Sequence, residues 1–331
     1  MSATLRLVIP YVTQYLYERS DEGRMKEERP MLHTDAVVEV KGLQMRYGDS
    51  VVLDEVDFTI CRGEVLVLLG PNGAGKTTTI EILEGFRGRS GGSVSILGAD
   101  PAFGDEAWRA KVGIVLQSWR DHSGWQVREL LHHLGGYFAP YSTDERKRPY
   151  DTDALLELVG LTVQARKKVR ELSGGQRRRL DVAIGLVGNS ELLFLDEPTA
   201  GFDPQARREF HDVIHRLSER EGTTILLTTH DLDEAEKLSD RILILAGGKI
   251  VANGSAGQLA KDISDQAEVI WSQDGQQHIQ RTSQVVAFTR TLLTQHPDGI
   301  SDLEIRRASL EDTYMTIVQK YEKQRNPERG A

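Results

Sequence analysis

The sequence predicts an α/β fold: a parallel sheet covered by helices, with an added antiparallel β piece and a small C-terminal α+β unit. Three observations lead there. Unbroken apolar runs at Val65–Leu69, Leu192–Leu195, Ile225–Leu227 and Ile242–Leu245 fit strands buried on both faces. Stretches of helical periodicity lie between them, at Thr77–Glu84, Val127–Leu134, Ala154–Val159, Arg177–Val187, Gln205–Arg220 and Leu232–Leu238. Buried strands alternating with helices give a parallel sheet. Ahead of these, Val56, Phe58 and Ile60 alternate with polar residues. That two-residue period belongs to a half-buried strand and predicts the antiparallel piece.

The 331 residues are read as three segments: an N-terminal extension at 1–33, a main domain at 34–258 with a helical subdomain at about 118–176, and an accessory domain at 259–331. In the extension, apolar residues between Leu5 and Leu16 precede a mixed charge run, Glu18 to Arg29. Two readings stand: an amphipathic arm for a membrane or partner, or a loose extension, with Met25 or Met31 as the true start. Pro10, Thr13 and Gln14 interrupt the apolar stretch, so it does not read as a signal peptide. In the accessory domain, Val269–Trp271, His278–Gln280 and Leu303–Arg306 read as strands and Ser283–Gln295 as a helix. Ser309 and Asp312 form a capping box ahead of a helix with Leu310, Tyr314, Ile317 and Tyr321 on one face. No catalytic motif falls there.

Composition narrows the function. Apolar residues at 39% and charged residues at 27% describe a globular chain, not a disordered one. A net charge of −9 weighs against nucleic-acid binding, which needs a basic surface. One cysteine, Cys61, excludes an internal disulfide framework and a cysteine-based zinc site. The longest purely apolar runs span five residues, and a membrane-spanning helix needs about 20. Any membrane crossing therefore falls to another chain.

Two motifs carry the chemistry. Val65–Leu69 runs into Gly70, Pro71, Asn72, Gly73, Ala74, Gly75, Lys76, Thr77 and Thr78, which fits G-x-x-x-x-G-K-[ST] between a strand and a helix. The glycines let the backbone curl and turn its N–H groups inward, and the helix start adds its dipole, so the loop is an anion cradle. Lys76 supplies a charge for the β- and γ-phosphates, and the Thr77 hydroxyl is a Mg²⁺ ligand. The second motif is Asp196-Glu197, at the tip of Leu192–Leu195 and hence at the carboxyl edge of the sheet. Asp196 is placed to hold Mg²⁺ and Glu197 to orient or deprotonate an attacking water. Ser173 caps the helix that follows Gly174, Gly175 and Gln176, a start that is either an ordinary capped terminus or a second phosphate site. His211 and His215 have zinc-ligand spacing, without a third ligand.

Taken together and in order, Gly70–Thr77, Leu172–Gln176 and Asp196-Glu197 resemble the ATP-binding cassette (ABC) family of transport ATPases over roughly residues 36–255. The resemblance assigns further residues. Tyr47 matches the aromatic that stacks on adenine. Gln117 matches the glutamine that couples the metal site to the helical subdomain, as a metal contact and catalytic residue. Gly201-Phe202-Asp203-Pro204 matches the loop across a dimer seam, with phenylalanine for the usual leucine, and Asp203 joins the nucleotide contacts. His230 matches the γ-phosphate switch histidine. The implied catalytic set is Glu197, His230, Gln117 and Lys76.

By the same resemblance, two cassettes pack head to tail. Each ATP then lies between one copy's phosphate loop and the other's Ser173–Gln176. Closure on ATP and opening after hydrolysis drive a separate membrane permease at the cytoplasmic face of the membrane. Trp119 to Val127 would face that permease, with Trp119 and Trp125 as partner contacts or as packing. Arg177–Arg179 and the Ser309–Asp312 helix resemble the daunorubicin-type drug exporters, although the arginines read equally as a solvated basic face. A soluble cassette working on ribosomes or DNA, and a regulatory module that holds ATP uncleaved, are the competing readings. The single phosphate loop, the absence of sustained heptads between Lys76 and Ser173, and the presence of Glu197 and His230 weigh against both.

Overall fold

The computed structural model describes residues 35–115, 122–263, 267–273, 276–296, 299–306 and 310–325. They divide into two units. One runs from Asp35 to Ile263 and includes the last helix; the other lies within Ser264–Ala308. The extension at 1–33 lies outside the described residues.

The larger unit starts as a hairpin of β1 (Ala36–Tyr47) and β2 (Ser50–Cys61), with Tyr47 opposite Ser50. Repeated register shifts break the pairing between Val40 and Arg46. A bulge resets which face a side chain takes, so clean alternation shows only in the second half of β2. After β3 (Val65–Leu69) and α1 (Lys76–Leu83), β4 (Gly91–Ile96) returns to pair with β1, completing an antiparallel sheet in the order β2-β1-β4. α2 (Glu106–Arg109) then leads to β5 (Val112–Val115).

Among the described residues, three α-helices follow before the chain re-enters the sheet: α3 (Val127–Gly136), α4 (Thr152–Leu158) and α5 (Gly174–Leu186). The rest of this unit is β6 (Leu192–Asp196), α6 (Pro204–Glu221), β7 (Thr224–Thr229), α7 (Leu232–Leu238), β8 (Arg241–Ala246), β9 (Lys249–Gly254) and α8 (Ala256–Ile263). The second sheet runs β5-β6-β7-β3-β8-β9; β5, β6, β7, β3 and β8 are parallel, and β9 pairs antiparallel with β8.

The apolar runs are continuous because their two faces serve two cores. Val65, Val67, Leu69, Leu193, Leu195, Ile225 and Leu227 face the helices. Leu66, Leu68, Leu192, Phe194 and Leu226, the residues between them, pack with the antiparallel sheet. No position along these strands reaches water, so none needs to be polar.

Arg241 ties the strands together at the opposite end from the phosphate loop. It donates to Glu64 Oε1 (2.6 Å), Thr59 O (2.5 Å) and Asn253 Oδ1 (3.0 Å), joining β8 to β2, β9 and the turn before β3. The last helix, α10 (Leu310–Arg325), also belongs to the larger unit; Leu310 is buried there, with Tyr314, Ile317 and Val318 against the helical core. The capping box at Ser309 and Asp312 lies outside the described residues.

The smaller unit is an antiparallel sheet in the order β11-β10-β12, from β10 (Ala267–Gln273), β11 (Gln276–Thr282) and β12 (Ile300–Arg306), with α9 (Val285–Gln295) between the last two in sequence. Trp271 stacks on His278 at 5.4 Å and meets Phe288 at 5.7 Å. Among the described residues, no helix is long and apolar enough to cross a membrane.

Removing the Arg241 guanidinium leaves the Glu64 carboxylate buried without its cation. Arg241→Met should lower unfolding stability by about 3 kcal/mol in urea titration, with the native fold retained.

Candidate functional site

β3 delivers the loop at the carboxyl edge of the parallel sheet. Gly70 cannot be replaced there: a Cβ would lie 2.3 Å from Leu245 O. Gly75 turns the chain into α1 with φ +110°, a left-handed value that favours glycine. Lys76 is buried, and its ammonium donates to Gly70 O (2.8 Å) and Pro71 O (3.3 Å). Asn72, Gly73 and Thr77 are exposed, while Ala74 is buried and Pro71 and Thr78 are half-buried.

β6, one strand beyond β7, brings the carboxylates to the same edge. Thr77 Oγ1 donates to Asp196 Oδ2 at 3.2 Å. Glu197 Oε1 lies 3.6 Å from Lys76 Nζ and 3.3 Å from His230 Nδ1. The Glu197 backbone is left-handed, φ +43°, which is rare for a side chain of this kind. Thr228 holds that turn: its hydroxyl donates to Asp196 Oδ1 (2.5 Å) and accepts from Glu197 N (3.0 Å). Arg178, from α5, braces it from behind by donating to Pro198 O (2.9 Å) and Asp196 O (3.3 Å). A solvated basic face therefore does not describe Arg178, which is buried.

The structure thus joins Lys76, Thr77, Asp196, Glu197 and His230 in one cluster. Ser173 caps α5 by accepting from Gln176 N (3.3 Å), and Gln176 Oε1 accepts from Ser173 N (3.1 Å). Gly174 and Glu197 both line a cleft of about 210 Å³, while Gly175 lies close to Ala206 of α6, whose Cβ is 3.1 Å from where a Cβ on Gly175 would stand. Asp203 is occupied as the cap of α6, accepting from Gln205 N (2.9 Å) and Ala206 N (2.8 Å). Tyr47 closes β1. Its ring is 45% exposed, with the Arg87 guanidinium 5.4 Å over it. Trp125 packs on His133 at 4.9 Å and stays partly exposed. Gln117 and Trp119 lie outside the described residues.

Sequence reading missed Thr228, Arg178 and Glu84. Thr228 left a signal, a hydroxyl ending an apolar run two residues before His230. Arg178 left none, because three consecutive arginines do not say which one turns inward. Glu84, just past α1, has its pKa pushed up to about 8 by burial, by Asp196 and by Glu81. His211 is pushed down to about 4 by burial and by Lys237, His215 and Arg207, a cationic setting unsuited to a metal ligand.

A glycine-rich anion loop with a lysine, set across from strand-tip carboxylates at the carboxyl edge of a parallel sheet, is the architecture of a P-loop nucleoside triphosphatase. Comparison with known proteins makes the assignment specific. The family profile described as ABC transporter matches residues 53–200. A daunorubicin resistance ATP-binding protein, DrrA3, of Streptomyces coeruleorubidus is 40% identical over 249 residues, 73% of this chain and 76% of that one. A Nod factor export ATP-binding protein I of Cupriavidus pinatubonensis is 42% identical over 232 residues, 70% of each. Among solved structures, the ADP conformation of MJ1267, an ATP-binding cassette of an ABC transporter, aligns with a TM-score of 0.59 at 25% identity, covering 68% of this chain and 93% of that one. The chain belongs to the ABC transporter family, as an ATP-binding subunit that hydrolyses ATP.

Glu84 also makes stability depend on pH. Its folded pKa is raised to about 8 from 4.5, so the folded state binds more protons than the unfolded one between those values. Stability from this group is full below pH 4.5 and is lost as pH rises towards 8. Glu84→Gln removes that dependence. Its gain in Tm over the parent chain should therefore be larger at pH 8 than at pH 5 in parallel thermal melts.

Proposed function

We propose that this chain is the motor subunit of an exporter of drug-like or hydrophobic compounds, working in pairs at the cytoplasmic face of a membrane on a separate permease. The observation that carries the reading is the position of Glu197, whose carboxylate oxygen faces both Lys76 and His230. Lys76 and the backbone N–H groups of Gly70–Thr77 hold the phosphates. Glu197 orients the attacking water and accepts its proton, and His230 steadies the Glu197 carboxylate and reaches the terminal phosphate. Tyr47 offers an exposed ring for the base.

A hydroxyl and a carboxylate within hydrogen-bond distance of each other, Thr77 and Asp196, are oxygen donors of the kind a small hard dication takes. They would hold Mg²⁺, which supplies charge neutralisation on the phosphate oxygens. Gln117 completes that set by resemblance.

The pairing rests on Ser173–Gln176. Its capped helix start presents N–H groups at the surface, where a second copy's nucleotide can dock. No helix among the described residues is long and apolar enough to cross a membrane, which supports a separate chain as the permease. The export reading is supported by the names of the relatives, one a daunorubicin resistance protein and the other a Nod factor export protein.

Glu197→Gln keeps the shape of the side chain and removes the base. ATP binding should persist, turnover should fall on the order of 100-fold or more, and an ATP-dependent dimer should accumulate in size-exclusion chromatography; parental turnover would refute the role given to Glu197. Lys76→Ala should instead weaken ATP binding itself, measured by titration calorimetry.

A further inference from the structure

At 1% exposure, Glu234 is the most buried acidic residue among those described. It occupies the third position of α7, after the cap Asp231, whose Oδ1 accepts from Glu234 N at 3.1 Å. A glutamate at this position ordinarily turns back to the N–H of the cap residue. Here that N–H is taken by Thr229 Oγ1 at 3.0 Å. The Glu234 side chain is buried instead, beside the hydroxyls of Thr199 and Thr229.

These two threonines belong to different segments. Thr199 follows Glu197 by two residues, and Thr229 immediately precedes His230. Glu234, Glu197, His230 and both threonines line one cavity of about 160 Å³. On its wall, Arg207 Nη1 donates to Asp231 Oδ2 at 2.6 Å and fixes the start of α7. Burial raises the pKa of the carboxyl, and the Thr229 and Thr199 hydroxyls oppose the rise. Oε1 has no hydrogen-bond partner in the protein, an arrangement that suits a neutral acid better than a buried anion.

We propose that Glu234 is a positioning residue for ATP hydrolysis: through Thr199 and Thr229, its carboxyl group sets the spacing between Glu197 and His230. The proposal rests on the roles given above to those two residues. It differs from a merely structural role, because a carboxyl that only filled space would be replaceable by an apolar side chain of the same size.

The test uses the full chain and measures Mg-ATP hydrolysis, ATP affinity and Tm separately. Glu234→Leu should lower kcat about tenfold or more while ATP affinity stays within about twofold. Glu234→Gln should recover most of the rate, since an amide keeps an oxygen beside the same two hydroxyls without a charge. Thr199→Val removes one of the two hydroxyls at constant shape and should lower kcat in the same direction. Its effect should be less than additive with Glu234→Leu, as for residues in one network.

A folded Glu234→Leu chain with the parental kcat overturns the proposal, as does a Glu234→Gln chain as slow as Glu234→Leu. If Glu234→Leu does not fold, Thr199→Val decides: a slowed kcat at parental ATP affinity supports the link, and a parental rate overturns it. Glu197→Gln run alongside separates the two ideas. Full turnover in that variant would remove the role of Glu197 whatever Glu234 does.

Discussion

One hydroxyl, that of Thr228, carries the geometry on which the rest of the site depends. β6 must end at the sheet edge and keep two successive carboxylates turned towards the phosphate loop. An extended strand cannot do this, because successive side chains point to opposite faces. The chain solves it with a left-handed residue at Glu197. Such a backbone is held only when its surroundings over-determine it. Thr228 does so by bonding both the Asp196 side chain and the Glu197 amide, and Arg178 anchors the carbonyls on the other side of the turn.

The same bonds tie the helical layer to the carboxylate turn. Arg178 stands on α5, the helix that Ser173 begins, and its guanidinium ends on the backbone of the carboxylate turn. A displacement of α5 is thus felt at Asp196 and Pro198 without passing through a flexible loop. A lysine at 178 has no planar fork and would not hold two carbonyls in the same way.

Much of this was legible in the amino-acid sequence, and the division follows physics. The central strands announced themselves because burial on both faces forbids polar residues. The loop at Gly70–Thr77 was readable because phosphate recognition needs particular residue types in a contiguous order. β1 was not readable, since its register shifts scramble the two-residue period, and β5 is too short to carry one. α8 was passed over, because the boundary read at 258 cuts through it. At the site, Lys76, Thr77, Asp196, Glu197 and His230 could be named in advance. Arg178, Glu84 and Glu234 could not, because what singles them out is the neighbour that each one meets after folding.

The packing behind the phosphate loop also has a bearing on what the loop can accept. Gly75 sits against Leu53 and the carbonyl of Val52, and Asp54 N donates to Gly248 O at 2.9 Å, so β2 forms the rear wall of the loop. A few residues earlier the same strand pairs Ser50 with Tyr47. The aromatic ring and the wall behind the loop are therefore carried by one hairpin. The span from the loop to that ring is thus set by the pairing of two strands.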